Sequence, residues 1–223
     1  MLLPLMIKKI SSSKKENNLI SEYISVIEVG GAYAYKFKDL LNFIEVKTLV
    51  ITDLDSIDPG NERSGVPPMT GKGYETCNKT LIEWVPGEKM IDDLLEFNEE
   101  EKLGCDDMFR IAYQYPVKSE RCKDKICGRS FEEQFIIENI DLIYEKHDKF
   151  ESFSTPSGKV KKKVKDNLTE NIDNLVIDEE KIDIIADAIN NKPTFAYDIM
   201  LHLGIAEWDI PTYIREGLEW LQE

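Results

Sequence analysis

Two aspartates separated by one residue, Asp53 and Asp55, are the strongest chemical signal in the sequence. They directly follow residues 48–52, a β-branched run typical of a buried strand. Open α/β sheets bind their ligands at the carboxyl ends of parallel strands. Carboxylates held close together there suit Mg²⁺ or Mn²⁺, and Asp58 is near enough in sequence to contribute. Asp is also favoured in turns, so the pattern by itself fits a loop that opens at Asp53 equally well.

Two glutamates and a lysine farther along the chain could complete such a site. Glu132 and Glu133 follow a Gly-Arg-Ser-Phe segment at the predicted start of a helix. Acidic side chains there offset the positive end of the helix dipole, which explains them without a metal, although they could also face a metal at the sheet edge. Lys192 precedes another predicted helix. A lone lysine there is usually a solvated charge, but in phosphoryl transfer it could stabilise the anionic transition state.

Other motifs do not support an ATP or zinc site. Lys72 lies in Thr-Gly-Lys-Gly, but a P-loop needs Gly at the position of Val66 and Ser or Thr at the position of Gly73. The sequence therefore predicts no ATP site of this kind in the chain. Cys122 and Cys127 have four residues between them and neither a second pair nor a nearby His, which favours free thiols.

The elements that must position these residues are predicted to be a strand, a helix and a second strand. Residues 24–29 and 48–52 are predicted strands, and residues 37–44 between them carry apolar side chains at helical spacing. Continuous apolar strands on either side of a helix predict a parallel βαβ unit. Residues 109–117 predict a third strand.

The remaining predicted elements are helical, apart from one basic segment. Residues 151–175, with five Lys between positions 159 and 165, indicate a linker or mobile loop that could supply local positive charge to an acidic chain. Helices are predicted near residues 3–10, 78–97, 131–147, 180–190, 194–203 and 211–221.

Composition narrows the classes of function. A chain of 223 residues suits one domain, and a net charge of −15 makes a poor free-standing nucleic-acid binder. Contact with nucleic acid would need metal ions, a local basic patch or a more basic partner. The four cysteines are too sparse for a disulfide scaffold. The absence of a secretory signal and of a long apolar run predicts a cytoplasmic protein with no membrane contact.

Six segments occur in an order that matches a known family. They are ISVIEVGG (24–31), VITDLD (50–55), IAYQ (111–114), GRSFEEQFI (128–136), KPTFA (192–196) and PTYIREGLEWL (211–221). Together they resemble the C-terminal Toprim domain of the OLD (overcoming lysogenization defect) family of ATP-dependent nucleases. The resemblance covers essentially the whole chain.

The resemblance implies an α/β fold over residues 1–223, in which a small parallel sheet has helices on both faces and the C-terminal part is helical. It implies a metal-dependent endonuclease that hydrolyses DNA phosphodiesters with two divalent ions, Mg²⁺ or Mn²⁺, in phage defence. It further implies that Asp53, Asp55 and Glu132 are metal ligands, with Glu133 as the substitute for Glu132. Glu132 and Lys192 would act in catalysis, Lys192 by offsetting charge on the scissile phosphate. We expect the three ligands to converge at the carboxyl edge of the sheet.

The chain departs from the family pattern at two points. The family commonly has Thr-Ser-Asn where this chain has Thr76, Cys77 and Asn78, so a serine hydroxyl is absent. The first Toprim motif, a strand ending in Val-Glu-Gly, should stand just before residues 2–7, so we expect the first strand to be missing. We therefore expect the lone chain to be a poor nuclease. We also expect it to form a homo-oligomer or to join a separately encoded N-terminal ATPase portion.

A second interpretation is a catalytically silent Toprim-like module that serves binding or assembly. The missing glutamate and the charge of −15 favour this interpretation. The retained Asp53, Asp55, Glu132 and Lys192 favour the nuclease.

Overall fold

The computed structural model of the protein describes most of the chain, and its elements form an α/β fold. The described residues are 1–13, 19–30, 32–61, 63–104, 107–119, 121–122, 124–153, 189 and 191–223. The helices in these ranges are α1 (Leu3–Ser13), α2 (Lys38–Ile44), α3 (Lys79–Glu83), α4 (Ile91–Glu96), α5 (Phe131–Glu138), α6 (Ile140–Lys146), α7 (Lys192–His202) and α8 (Thr212–Gln222). The strands are β1 (Thr48–Ile51), β2 (Ser56–Asp58), β3 (Arg63–Ser64), β4 (Glu75–Thr76), β5 (Leu103–Gly104) and β6 (Phe109–Ala112).

The main sheet is small and mixed, with the strand order β1-β6-β5. Strands β1 and β6 run parallel, from Thr48 opposite Phe109 to Ile51 opposite Ala112, and β5 runs antiparallel to β6. A second sheet of short antiparallel strands, β3-β2-β4, forms within the segment that follows β1. Strands β1 and β6 lie within residues 48–52 and 109–117, where strands were predicted, but β1 pairs with β6 and not with residues 24–29, so the predicted βαβ unit is wrong.

Helices cover both faces of this pair, because successive side chains of a strand point to opposite faces. Leu49, Ile51 and Ala112 contact the larger core, which includes residues of α1, α5, α7 and α8. Val50 and Ile111 contact the smaller core, which includes residues of α3 and α4. The expected α/β arrangement with helices on both faces is therefore confirmed.

The prediction of a strand at residues 24–29 is wrong. Residues 23–30 form neither strand nor helix, and the side chains of Val26 and Ile27 are 55% and 70% exposed. A β-branched sequence forms a stable strand only when another strand accepts its backbone hydrogen bonds. Among the described strands, β1 pairs with β6 alone, so residues 24–29 are not part of its sheet.

Four helix predictions are confirmed, among them the helix predicted at residues 37–44, which forms α2, and two predicted helices are each divided in the structure. Helices α1, α7 and α8 form where helices were predicted, at residues 3–10, 194–203 and 211–221. The helix predicted at 78–97 is split into α3 and α4 around Pro86 and Gly87, because proline lacks the backbone N–H that a helix interior needs. The helix predicted at 131–147 is split at Asn139 into α5 and α6.

The predicted linker lies mostly outside the described residues, as does most of the helix predicted at 180–190. Residues 151–153 begin the predicted linker but form a 3₁₀ turn whose Ser152 and Phe153 are buried. The linker prediction is therefore wrong for these three residues. None of the helices in the described part of the chain has the length and apolar character needed to span a bilayer.

Candidate functional site

Asp53 and Gln114 stand side by side just beyond the carboxyl ends of β1 and β6. Ile51 is paired with Ala112, so continuing this register by two residues along both segments places Asp53 opposite Gln114. Gln114 is fully buried, and its side-chain amide donates a hydrogen bond to Oδ1 of Asp53. Its carbonyl oxygen accepts a hydrogen bond from the backbone N–H of Leu54 at 3.1 Å. One buried side chain therefore fixes both the carboxylate and the backbone that follows it.

Asn78 holds the same loop from the opposite side. Its side-chain nitrogen donates to Oγ1 of Thr52 and to the carbonyl oxygen of Asp53, both at 2.7 Å. Its side-chain oxygen accepts from the N–H of Thr80 at 2.9 Å and thereby caps the start of α3. Asn78 is fully buried, so each of these hydrogen bonds compensates a polar group that is removed from water.

The backbone turns sharply after Asp53. Asp55 has a left-handed conformation with φ of 49°, which Asp tolerates better than most residues. The carbonyl oxygen of Asp55 accepts hydrogen bonds from Cys77, from its N–H at 3.1 Å and from its Sγ at 3.3 Å. The hydroxyl of Thr76 donates to the carbonyl oxygen of Leu54. The Thr-Cys-Asn segment thus shapes the Asp-x-Asp loop, and the thiol contacts backbone where the resembled family has a serine hydroxyl.

The electrostatic environment of Asp53 joins it to three other predicted site residues. Burial raises the pKa of Asp53 to about 6, the hydrogen bond from Gln114 and the charge of Lys192 lower it, and the charges of Glu132 and Asp55 raise it. Burial also raises the pKa of Asp55, while Lys192 lowers it. The structure therefore brings Asp53, Asp55, Glu132 and Lys192 into one electrostatic neighbourhood.

Glu132 and Lys192 meet at the N-terminal ends of two helices. Lys192 opens α7 and Glu132 lies in the first turn of α5. The Nζ of Lys192 lies 2.9 Å from Oε2 of Glu132, which also accepts a hydrogen bond from the Ser130 hydroxyl at 2.8 Å. Burial lowers the pKa of Lys192, but its hydrogen bond and ion pair with Glu132 and the charges of Asp53 and Glu133 outweigh burial and raise it overall.

Glu133, the substitute for Glu132, is held by Arg129. Its Oε1 accepts from Nε of Arg129 at 2.6 Å, and its Oε2 accepts from the backbone N–H of Arg129 at 2.7 Å. The guanidinium also donates to the carbonyl oxygen of Gly65 at 3.2 Å. The ion pair of Lys192 with Glu132 and this separate engagement of Glu133 favour Glu132 as the glutamate of the site.

An open cleft of about 260 Å³ lies beside the Glu132–Lys192 pair. It is lined by Gly65, Arg129, Ser130, Glu132, Glu133, Ile189 and Lys192. Both acidic and basic side chains line this cleft.

Asp58 is engaged within its own turn. Its Oδ1 accepts hydrogen bonds from the backbone N–H groups of Gly60 and Asn61 at 3.0 and 3.3 Å, and its Oδ2 accepts from the side chain of Asn61 at 2.6 Å. This is the turn role that short acidic side chains commonly have.

The donor set fits a hard divalent cation by its chemistry, because it consists of carboxylate oxygens near one buried loop. The candidate ligand side chains are farther apart than the ligands of a bound metal ion would be. In the described part of the chain, no group of three or more His, Cys, Asp and Glu side chains is close enough together to hold a metal ion. The assignment of Asp53, Asp55 and Glu132 as ligands therefore stays a prediction.

Sequence reasoning did not give roles to Gln114, Ser130 or Arg129. A signal for Gln114 was present, because it follows the predicted third strand as Asp53 follows the second. Aligning the carboxyl ends of neighbouring parallel strands would have placed the two residues together.

Comparisons with known proteins bear on the family that the chain resembles. Residues 1–55 match the family model for the TOPRIM domain of proteins like the overcoming lysogenization defect protein. Endonuclease GajA of Bacillus cereus (strain HuB5-5) is 28% identical to the chain over 212 residues, which cover 92% of this chain and 28% of that protein. The chain thus spans little more than a quarter of that relative's length. No solved structure matches the chain. The resemblance of this chain to the Toprim domain of the OLD family is confirmed, by the family model over its first 55 residues and by the relative over nearly all of it.

Proposed function

We propose that this chain is the nuclease domain of an OLD-type ATP-dependent endonuclease, which hydrolyses phosphodiester bonds of DNA. The observation that carries the proposal is the hydrogen-bonded loop that places Asp53 and Asp55 beyond the carboxyl end of β1, where the charges of Glu132 and Lys192 act on Asp53. The similarity to an endonuclease over 92% of the chain supports it. An aspartate whose pKa is raised by burial, with two further acids and a lysine acting on it, is typical of functional sites.

Asp53, Asp55 and Glu132 would hold Mg²⁺ or Mn²⁺ through their carboxylate oxygens. A pair of such ions, when bound, activates the attacking water and stabilises the leaving oxygen. Asp53 and Asp55 lie on one loop, which Gln114, Asn78 and Cys77 hold in shape. Glu132 approaches from the start of α5, where Ser130 orients its carboxylate.

Lys192 would offset negative charge on the scissile phosphate. Its side chain is 63% exposed, whereas that of Glu132 is 11% exposed, so the ammonium group can reach an anion that enters the cleft. A chain with a net charge of −15 needs such local cations at its contact with DNA. Glu132 holds the ammonium group near this position.

The complete enzyme would include the family's ATPase portion, form a homo-oligomer and act in the cytoplasm against phage DNA. These features extend the resemblance to the OLD family. The alternative, a catalytically silent binding module, is not favoured by the similarity to an endonuclease.

A plasmid-nicking assay with Mg²⁺ and Mn²⁺ tests the proposal. It should be run on this chain and on a version extended by a strand that ends in Val-Glu-Gly, the first motif of the resembled family. Nicking by at least one version should be abolished by Asp53→Ala, because that loop supplies ligands for the metal. Lys192→Met should reduce the cleavage rate by about 100-fold if the ammonium group stabilises the transition state.

Asp58→Asn is the matched control, because Asp58 lies close in sequence but is engaged in its own turn. Its cleavage rate should stay within about two-fold of the parent chain. Inactivity of both versions, or nicking that survives Asp53→Ala, would overturn the proposed function and leave the binding module as the better account.

A further inference from the structure

The geometry points to Gln114 as a positioning residue that holds Asp53 in the orientation needed to bind a divalent ion; this inference rests on the proposed function. Gln114 lies at the end of the neighbouring strand and contacts Asp53 through its side-chain amide. It acts through Asp53 and would not touch the metal or the DNA itself.

The direction of the Gln114 amide follows from its two partners. The backbone N–H of Leu54 can only donate, so the atom 3.1 Å away must be the carbonyl oxygen of Gln114. The nitrogen therefore faces Asp53, where it donates to Oδ1. The reversed amide would place an oxygen against a carboxylate and a nitrogen against an N–H group, which costs both hydrogen bonds.

The surroundings allow Gln114 little freedom to move. It is fully buried, and its nitrogen also lies 3.5 Å from the hydroxyl of Tyr213 at the start of α8. Leu54 and Tyr213 are themselves buried, so the amide is enclosed between backbone and aromatic ring. A side chain fixed in this way transmits a definite orientation to Asp53.

This orientation matters for binding a metal. A hydrogen bond to Oδ1 stops the carboxylate from rotating and leaves Oδ2 as the oxygen that Gln114 does not engage. Residues that orient a metal ligand typically contribute 10- to 100-fold to metal affinity. We therefore expect loss of the Gln114 amide to weaken metal binding without removing any ligand.

Calorimetric titration with Mn²⁺ alone tests the inference on five proteins: the parent chain, Gln114→Met, Gln114→Asn, Asn139→Leu and Asp53→Asn. Methionine keeps the length of glutamine but removes both hydrogen bonds. The expected result is a Kd for Mn²⁺ about 10-fold higher in Gln114→Met. Gln114→Asn, which keeps an amide but is one methylene shorter, should raise the Kd in the same direction.

Asn139→Leu is the control for the loss of a buried amide. Asn139 is also buried and bonds to Phe135 and Asp209, at the end of α5 away from Glu132. This variant should lower the thermal midpoint as much as Gln114→Met does, yet leave the Mn²⁺ affinity within two-fold. A purely structural role for Gln114 would make the two variants behave alike.

The outcomes distinguish the positioning role of Gln114 from the proposed metal site. If Asp53→Asn weakens Mn²⁺ binding and folded Gln114→Met or Gln114→Asn does not, the positioning role is overturned and the proposed function stands. If Asp53→Asn binds Mn²⁺ as tightly as the parent chain, the metal site itself is wrong, and the positioning role falls with it.

Discussion

Residues 24–29 and residues 48–52 have nearly the same kind of sequence but different structures. Both are short runs rich in β-branched residues, and each precedes a turn or loop. The second run forms β1, which pairs in register with β6 and contributes to both cores. The first forms no strand, and most of its side chains are exposed. The contrast teaches that a β-branched run can form a strand, but that it does so only where a segment distant in sequence pairs with it.

The same contrast separates the candidate site residues. Asp53 and Asp55 are held by partners far away in the chain, among them Gln114, Asn78 and Cys77. Asp58, only a few residues later, is held by hydrogen bonds within its own turn. The loop of Asp53 and Asp55 is thus held by segments distant in sequence, while Gly60 and Asn61 supply hydrogen bonds to Asp58 from the adjacent turn.

The largest expected effect is at the paired strand β6. Ile111→Ala removes a side chain that is 1% exposed and should lower the free energy of unfolding by about 4 kcal/mol, because it leaves a cavity in the smaller core. Urea denaturation followed by circular dichroism measures the change. A loss below about 1 kcal/mol would mean that this core is not packed as described.

The second prediction concerns the cost of the buried carboxylate, in buffer free of metal ions. Burial raises the pKa of Asp53 to about 6, above its ordinary value of 3.8, so folding favours the protonated form. The contribution of Asp53 to stability is thus fully present below pH 4 and is lost as the pH rises through 6. Asp53→Asn should be more stable than the parent chain by about 2–3 kcal/mol at pH 8 and equal to it near pH 4.

Denaturation at both pH values checks this sign. Asp58→Asn is again the control, since its carboxylate lies in an exposed turn. Equal stabilisation of both variants at pH 8 would show that general charge repulsion in an acidic chain, and not burial at the sheet edge, causes the effect.

A smaller loss is expected at the loop that carries the aspartates. Asn78→Ala removes the cap of α3 together with the hydrogen bonds to Thr52 and Asp53, and should cost about 1–2 kcal/mol. Thermal unfolding measures this cost. Lys79→Ala, next in sequence with an exposed side chain, should change stability by less than about 0.5 kcal/mol. Equal effects of the two substitutions would contradict the role given to Asn78.

The smallest effect is expected in the unpaired run. Ile27→Ala should change the free energy of unfolding by less than about 0.5 kcal/mol, because the side chain is 70% exposed. Comparison with Ile111→Ala in the same urea assay gives the most direct contrast between the two regions. A cost for Ile27→Ala above about 2 kcal/mol would show that residues 24–29 are packed in solution.

Much of the fold followed from local pattern, and the exceptions have physical causes. Helices α7 and α8 were predicted from spacing. The long helices predicted at 78–97 and 131–147 are each interrupted, near Pro86 and at Asn139, because the spacing of apolar residues does not show where a helix ends. The Asp-x-Asp loop was predictable because it follows a buried strand. Gln114 and Asn78 were given no role, because their importance depends on which elements become neighbours.

Calorimetric titration of the parent chain with Mn²⁺, compared with Asp53→Asn, Glu132→Gln and Asp58→Asn, tests the central claim most directly. The account predicts that Asp53→Asn and Glu132→Gln each weaken binding by at least about 10-fold, and that Asp58→Asn binds like the parent chain. Both changes at the site replace a carboxylate oxygen with a weaker ligand, while the third changes a carboxylate that accepts hydrogen bonds from Gly60 and Asn61. Equal affinity in all four proteins, or a loss confined to Asp58→Asn, would contradict the assignment of the site.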